Sequence, residues 1–259
     1  MQYLGFDRPS FGIKTFGFGL DEFSPLELFS GSKQGVWYDP SDKSTLFQDV
    51  AGTVPVTKDG DPVALMKDKS GNGNHATQTV SSKRAIYKTD GILHWLRPDG
   101  VDDEFEFNGS YLIDSEYHVT FANTFVDNGA DNILIGGLVG GTGGNLHFGY
   151  LDELILRHAH WSRDLDYTLQ EFEFTTPKIF SATLDSVGKS ICINGITTAS
   201  DTDPSKLNNN NDTYTLFGLR SNKHFGGKFF GALITNNTLT TSDFKRVTEH
   251  LATKAGVTP

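Results

Sequence analysis

Two histidines and a tryptophan stand together at the end of one predicted strand, and they are the first residues that suggest a binding site. His158 and His160 are separated by one residue, and Trp161 follows directly. Alternate residues of a strand lie on one face, so both imidazoles should point the same way. Two histidines do not complete a zinc site, and the sequence places no third ligand beside them. We therefore predict no metal site here and interpret the histidines as a solvated face.

Tryptophan is also the side chain best suited to stack against a sugar ring. A single aromatic residue in an alternating strand usually packs in the core, which is expected of Trp37 and Trp95. Trp161 is the best candidate for a sugar platform, because the histidines beside it could donate hydrogen bonds. The candidate carbohydrate-binding residues are therefore Trp161, His158 and His160.

Pairs of carboxylates could support glycoside hydrolysis. A retaining glycosidase holds two carboxyl groups about 5 Å apart, one as nucleophile and one as acid. Two pairs alternate along predicted strands and so share a face: Glu104 with Glu106, and Glu171 with Glu173. However, charged residues at alternate positions are normal on the solvent side of an antiparallel strand, and the Glu-x-Asp-x-(x)-Glu order of β-sandwich glucanases is absent. No nucleophile elbow, P-loop or zinc-protease helix occurs either, so we predict no catalytic residue and no enzyme.

Calcium is the one candidate cofactor, because oxygen-rich loops bind hard cations. The possible ligands lie in two loops: Asp68, Asn72, Asn74 and Asp102. The same residue types also form turns by hydrogen-bonding to the backbone, and no recognised calcium-loop spacing is present. We favour the turn interpretation.

The composition indicates a mainly β protein. The chain has 259 residues with 37% hydrophobic and 12% aromatic content, enough to fill the core of one large domain. It contains 20 Phe and 28 Gly but only 2 Met, which suits strands and turns better than helix bundles.

Charge and hydropathy exclude several classes of protein. The formal net charge of -10 disfavours nucleic-acid binding, which needs a basic face. No apolar run approaches the roughly 18 residues of a membrane helix, and the N-terminus lacks the order of a signal peptide. Cys192 is alone, so no intrachain disulfide can form. We expect a protein without membrane insertion that is assembled in a reducing cytoplasm.

Alternation of apolar residues predicts strands through most of the chain. Asn194-Gly195 is the strongest hairpin signal, since both residues accept positive φ. A C-terminal helix is predicted after the Thr240 cap, with an apolar stripe of Phe244, Val247 and Leu251 and a stop at Gly256. Asp39-Pro40 predicts a short helix over 40–47.

The first thirty residues differ in composition from the rest. Phenylalanines alternate with glycines in a segment too short to bury them itself. Such a segment could pack on another surface as a docking arm, or fold back as an edge strand. We divide the chain into an N-terminal docking arm, residues 1–30, and a β-sandwich domain, residues 31–259.

Four stretches in the first part of the chain resemble a known domain. They are GVWYDPSD (35–42), STLFQD (44–49), DKSGNGNHA (68–76) and RPDGVDDEF (97–105). They resemble the concanavalin-A-like, laminin-G-like sandwich domain in structural proteins of tailed bacteriophages, over roughly 35–256. The resemblance implies an antiparallel β-sandwich of jelly-roll type with a short C-terminal helix, in a phage particle assembled in the host cytoplasm.

On this resemblance we expect a virion structural protein, a tail fibre or receptor-binding protein that recognises a host surface carbohydrate. The alternatives are a head-decoration or assembly protein without sugar binding and, less well supported, a glycan depolymerase. The arm would contact other virion proteins, and the chain could form a homo-oligomer. Polar loops at 140–145, 201–212 and 221–227 are candidates for the recognition rim.

Overall fold

Strands make up nearly all of the regular structure. The computed structural model describes residues 23–126, 129–138, 144–151, 154–170, 176–208, 213–219 and 223–258. The strands in these ranges are β1 (Gly35–Tyr38), β2 (Leu46–Phe47), β3 (Leu65–Met66), β4 (Ala76–Thr77), β5 (Ile86–Thr89), β6 (His94–Arg97), β7 (Phe105–Asn108), β8 (Tyr117–Phe125), β9 (Asn132–Gly137), β10 (His147–Leu151), β11 (Ile155–Ala159), β12 (Asp164–Thr168), β13 (Lys178–Leu184), β14 (Lys189–Ile193), β15 (Ile196–Ser200), β16 (Thr213–Leu216) and β17 (Gly227–Thr235). One α-helix follows, α1 (Thr241–Ala255), and short 3-10 helices lie at Pro25–Phe29, Lys43–Thr45, Ser81–Lys83 and Ser110–Leu112.

The strands form two sheets. In the described part of the chain, the first sheet has the order β15-β14-β13-β8-β17-β6-β5, with β1 also paired to β17. The second has the order β12-β11-β10-β9-β16-β7-β4-β3-β2. The ladders within both sheets are antiparallel. The predicted mainly β, antiparallel sandwich is therefore confirmed.

Aromatic side chains fill the space between the sheets. Phe121 of the first sheet stacks on Phe148 of the second, with ring centroids 6.4 Å apart. Tyr150 lies edge-on to Phe180 at 5.4 Å. Each such side chain, fully buried, stabilises the fold by about 1.5–3 kcal/mol. The many phenylalanines therefore hold the two sheets together.

Helix α1 begins and ends where the sequence predicts. The Thr240 hydroxyl accepts a hydrogen bond from Asp243 N, 3.1 Å away. Gly256 ends the helix with φ +69°, a conformation that favours glycine. Val247 and Leu251 are buried against the outer face of the first sheet. Among the described helices, none combines the length and apolarity needed to span a bilayer.

The helix predicted over 40–47 does not form. Only a 3-10 turn, Lys43–Thr45, is present, and the chain continues directly into β2. Leu46 pairs with Met66 of β3, a contact between residues distant in sequence. This strand pairing outweighs the local helix signal, so the prediction is wrong.

The end of the predicted arm packs on the sandwich itself. Leu28 and Phe29 are buried in the same cluster as Trp37 and the apolar face of α1. Arg246 of α1 also forms an ion pair with Glu27, at 3.0 Å. Residues 23–30 thus contact the sandwich, while residues 1–22 of the predicted arm lie outside the described ranges.

Candidate functional site

The candidate histidines of β11 lie inside the sandwich. His158 and His160 are both 0% exposed. The prediction of a solvated face is therefore wrong, and neither imidazole is open to contact a sugar in this structure. Both rings can be buried because Tyr117 provides a polar partner for them inside the core.

Tyr117 links the two imidazoles by its hydroxyl. Its Oη lies 2.6 Å from His158 Nε2 and 2.5 Å from His160 Nε2. The other ring nitrogens face carbonyl oxygens: His158 Nδ1 is 3.2 Å from Ser190 O, and His160 Nδ1 is 2.9 Å from Ser205 O. Burial lowers the pKa of both histidines, that of His160 to about 4, so the rings are neutral at pH 7. Two neutral rings and one phenol bring only three hydrogens to these four contacts.

The same network fixes the turn that carries Trp161. The turn joins β11 to β12, and the N–H of His160 donates to Arg163 O across it at 3.3 Å. Trp161 has φ +43° and Ser162 has φ +70°, so both central residues are left-handed. Asn-Gly is the usual pair in such a turn, and a bulky residue there is uncommon. Strain of this kind persists where the surroundings impose it, and it occurs preferentially at functional sites.

Trp161 lines a cavity of about 370 Å³ on the outer face of the second sheet. Leu156 and His158 face the core, so Arg157 between them faces outward, into this cavity. The Trp161 ring is half-buried and lies edge-on to His147, with centroids 6.0 Å apart. Further lining residues are the apolar Ile133, Leu151 and Leu219 and the charged Asp131, Asp164 and Lys223.

The cations of the cavity are held by carboxylates. Arg157 Nε and Nη2 donate to the two oxygens of Asp166 at 2.7 and 2.8 Å. Its Nη1 lies 2.9 Å from Asp164 Oδ2, and the hydrogen bond to Asp166 raises the pKa of Arg157. Lys223 forms an ion pair with Asp131. The site therefore combines an aromatic platform with charged groups fixed in place, an arrangement typical of ligand sites.

Trp161 was predicted from its residue type, but its charged neighbours were not. β12 was not among the predicted strands, although Asp164, Leu165, Asp166 and Tyr167 alternate. Arg157 stands directly opposite Asp166 in the ladder. A charge pair across a two-residue turn is the signal that could have revealed both the strand and the site. The predicted loop 221–227 does contribute, through Lys223.

The first calcium candidates form a turn. Both oxygens of Asp68 accept hydrogen bonds, from the backbone N–H groups of Trp37 and Ser70 at 2.9 and 2.8 Å and from Asn74 N at 3.1 Å. Asn74 Nδ2 donates to Gly35 O at 3.1 Å. These bonds account for Asp68 and Asn74 without a cation, in agreement with the turn interpretation.

Asp102 instead lies in a cluster of three carboxylates. Ligand atoms of Asp99, Asp102 and Asp103 all lie within 4.8 Å of one another. Asp103 Oδ2 accepts a hydrogen bond from Asp99 N at 3.0 Å. Burial and the neighbouring Asp99 charge raise the pKa of Asp103 to about 6. Asp99 and Asp103 also line a separate cavity of about 310 Å³.

Of the two carboxylate pairs weighed for hydrolysis, the structure describes only Glu104 with Glu106, and neither lines the Trp161 cavity. Glu104 is 3.5 Å from Lys83 Nζ, and Glu106 is exposed on β7 beside His75. Glu171 and Glu173 lie outside the described residues. None of the described members lines the Trp161 cavity.

The architecture is shared with solved β-sandwich structures. Domain 4 of an extracellular arabinanase from Geobacillus stearothermophilus, solved with arabinotriose, has a TM-score of 0.55 at 14% identity over 70% of this chain and 92% of that one. A botulinum neurotoxin type C structure, whose cell entry depends on two ganglioside molecules, has a TM-score of 0.57 at 12% identity over 88% of this chain and 53% of that one. A sialidase from Trypanosoma rangeli has a TM-score of 0.55 at 13% identity over 80% of this chain and 34% of that one.

These similarities establish a shared fold. The chain spans about half of the neurotoxin structure and about a third of the sialidase. No protein-family model matches the sequence, and no curated protein matches it either.

Proposed function

We propose that this protein is a non-catalytic β-sandwich that binds a glycan in the Trp161 cavity. The observation that carries the proposal is the position of Trp161, a large aromatic side chain held in a left-handed turn beside a cavity that both apolar and charged side chains line. Strained backbone at a cavity is a feature of functional sites. Two sandwiches of similar fold add support: one was solved with arabinotriose, and the other belongs to a neurotoxin whose cell entry depends on two ganglioside molecules.

The chemistry of the cavity fits a sugar. A sugar ring has an apolar C–H face, which can pack on an indole, and hydroxyl groups around its edge. Asp164 and Lys223 supply an acceptor and a donor beside Trp161. The volume of about 370 Å³ is at the small end of the range for ligand cavities.

The proposal of a binding protein, not an enzyme, rests on the placement of the carboxylates. Asp164, which lines the cavity, and Asp166, which lies beside it, both contact Arg157, so they serve as its ion-pair partners. The described glutamates that share a strand face lie elsewhere. A glycan depolymerase would instead release sugar from host polysaccharide and lose that activity on substitution of Glu104, Glu106, Glu171 or Glu173 by Gln.

The test is binding of the labelled full chain to a glycan array, followed by titration of the best ligand. We expect Trp161→Ala to weaken binding at least tenfold, about 1.4 kcal/mol, because the stacking surface is removed. Ile92→Ala, which truncates an 85% exposed side chain elsewhere, serves as the matched control and should bind normally. Absence of binding by the wild type, or equal binding by Trp161→Ala, would overturn the proposal.

We further propose that the protein belongs to a phage particle, as a tail fibre or receptor-binding protein, with residues 1–22 as its attachment to other virion proteins. The resemblance of residues 35–105 to phage sandwich domains supports this placement. Residues 23–30 pack on the sandwich, so the truncation that preserves the fold removes residues 1–22 only.

The full chain and the chain lacking residues 1–22 should be compared by light scattering and by binding to phage particles and host cells. We expect only the full chain to bind particles and both to bind cells. Particle binding without cell binding would indicate a head-decoration or assembly protein, and no particle binding by the full chain would contradict the placement.

A further inference from the structure

The cations of the Trp161 cavity are already occupied by carboxylates of the protein. Arg157 uses three of its nitrogens on Asp166 and Asp164, with contacts of 2.7, 2.8 and 2.9 Å. Lys223 is paired with Asp131. Among the described residues, the cavity lining carries two cations, Arg157 and Lys223, and two carboxylates, Asp131 and Asp164. Asp166, bonded to Arg157 beside the cavity, adds a third carboxylate, so the net charge of this group of residues is negative.

Arg157 already forms a complete bidentate ion pair within the protein. A guanidinium binds a carboxylate through two parallel N–H bonds, and Asp166 already occupies such an edge. Asp166 lies directly opposite Arg157 in the β11–β12 ladder, so the register of the hairpin maintains this pair. To form this bidentate pair with Arg157, a ligand carboxylate would have to displace Asp166. If Asp166 stays in place, the ligand carboxylate approaches a site whose net charge is negative.

An uncharged sugar meets no such obstacle. Hydroxyl groups can donate to Asp164, which contacts Arg157 through one of its two oxygens. A carboxylate oxygen accepts more than one hydrogen bond, so this contact leaves acceptor capacity. The Trp161 face takes the apolar side of the ring in the same orientation.

We propose that the Trp161 cavity selects uncharged sugar residues and rejects sugars that carry a carboxylate, such as sialic or uronic acids. This inference rests on the proposed glycan binding and specifies its ligand class. Discrimination comes from a repulsive element, the Asp164 and Asp166 pair, in addition to the attractive platform.

The test uses matched ligands, a galactose-terminated oligosaccharide and the same oligosaccharide capped with sialic acid, with uronic-acid and neutral arabinose, glucose and mannose oligosaccharides alongside. Titrations of the full chain should give at least tenfold tighter binding of the neutral members. The difference should shrink at high salt, because screening weakens charge repulsion.

Asp166→Asn provides a gain-of-binding arm. Asp166 does not line the cavity, so the substitution leaves the lining residues in place while releasing one edge of Arg157. We expect it to raise the affinity for the sialylated ligand several-fold. The ratio of the affinity for the neutral ligand to that for the sialylated ligand should therefore fall. Asp49→Asn, at a partly exposed carboxylate in another loop, is the matched control and should keep the wild-type ratio.

The outcomes separate the two proposals. Equal or tighter wild-type binding of the sialylated ligand, lost in Trp161→Ala, would overturn the neutral-sugar inference and leave glycan binding intact. Absence of binding to every ligand would remove both. If Asp166→Asn fails to fold, the ratio of the wild-type affinities for the neutral and sialylated ligands is sufficient to test the inference.

Discussion

At the scale of single residues, Trp161 occupies a backbone conformation that its side chain disfavours. The φ values of Trp161 and Ser162 are both positive, although neither residue is glycine. The neighbouring His160 is fixed by Tyr117 and by Ser205 O, so the turn is anchored from the core side. The protein therefore accepts a local cost of about 1–3 kcal/mol per strained residue to present the indole at the cavity.

Ser162→Gly should relieve this strain without removing the platform. Glycine adopts φ +70° freely, so we expect the free energy of unfolding to rise by about 1 kcal/mol and Tm by about 2–4 °C. The reverse exchange, Gly91→Ser at φ +94° in open space, should lower Tm. Thermal melts of both variants check the prediction, and it is wrong if Ser162→Gly melts no higher than the wild type while Gly91→Ser melts lower.

Tyr117→Phe should destabilise the core by removing the hydroxyl that serves two imidazoles. Each buried polar group left without a partner costs about 1–3 kcal/mol, and here the Nε2 atoms of His158 and His160 both lose their contact. The control is Tyr150→Phe, since the Tyr150 hydroxyl accepts a 2.6 Å bond from Asn123 alone among the described contacts. Urea denaturation should show the larger loss for Tyr117→Phe; an equal loss in both variants would count against the shared network.

At the scale of secondary-structure elements, the sequence correctly predicted the features that neighbouring residues determine, namely helix ends and tight turns. The cap at Thr240 and the stop at Gly256 predicted α1, and Asn194-Gly195 predicted the turn between β14 and β15. The helix expected over 40–47 failed because Leu46 pairs with Met66, which no local pattern reveals.

The candidate site was predictable only to the same extent, because contacts between residues distant in sequence could not be read from local patterns. Trp161 was found from its residue type, whereas the burial of His158 and His160 depends on Tyr117, which lies 41 and 43 residues away from them in sequence and in the other sheet. The polar partner that makes a buried histidine acceptable is a property of the fold, so residue spacing alone suggested a solvated face. Asp164 and Asp166 were missed because β12 is a short, polar edge strand.

The loop between β6 and β7 contains a carboxylate whose charge opposes folding. The pKa of Asp103 is about 6 in the folded protein and about 3.9 in an unfolded chain. The folded state therefore binds the proton more tightly, and the destabilisation is fully present above pH 6 and absent below about pH 4.

Asp103→Asn should accordingly stabilise the protein at pH 8, by about 1–2 kcal/mol, because the amide is uncharged and its oxygen can still accept from Asp99 N. The gain should disappear as the pH falls from 6 to 4. Chemical denaturation at each pH in calcium-free buffer measures it. Asp90→Asn, which replaces an exposed carboxylate that accepts two backbone N–H bonds, should give no gain, and a constant gain from Asp103→Asn at every pH would contradict the explanation.

At the scale of the whole molecule, buried and half-buried histidines make the fold sensitive to acid. Burial lowers the pKa of His118 to about 3 and those of His160 and His250 to about 4. An unfolded histidine titrates near 6.5, so the unfolded state takes up protons first as the pH falls. The stability contributed by these neutral rings is present above pH 6.5 and is lost progressively towards pH 4.

We therefore expect the free energy of unfolding to fall between pH 6.5 and pH 4, partly offset by the opposite effect of Asp103. His118→Gln should flatten this slope whatever its effect on stability at pH 8, since one titrating ring is removed. Denaturation curves from pH 8 to pH 4 measure both slopes, and an unchanged slope in the variant would contradict the assignment to His118.

The overall architecture was predictable because it depends on distributed features. Period-two alternation and a composition rich in phenylalanine and glycine indicated a mainly β sandwich, and the two sheets confirm it. What remained beyond prediction is which side chains of one sheet meet the other, as Tyr117 meets His158.

The most direct test of glycan binding at Trp161 is a crystal structure of the full chain with the tightest neutral oligosaccharide from the array. We predict a sugar ring packed on the Trp161 indole, with a hydroxyl in contact with Asp164. A sugar bound at another surface, such as the cavity beside Asp99 and Asp103, with none in contact with Trp161, would contradict the account.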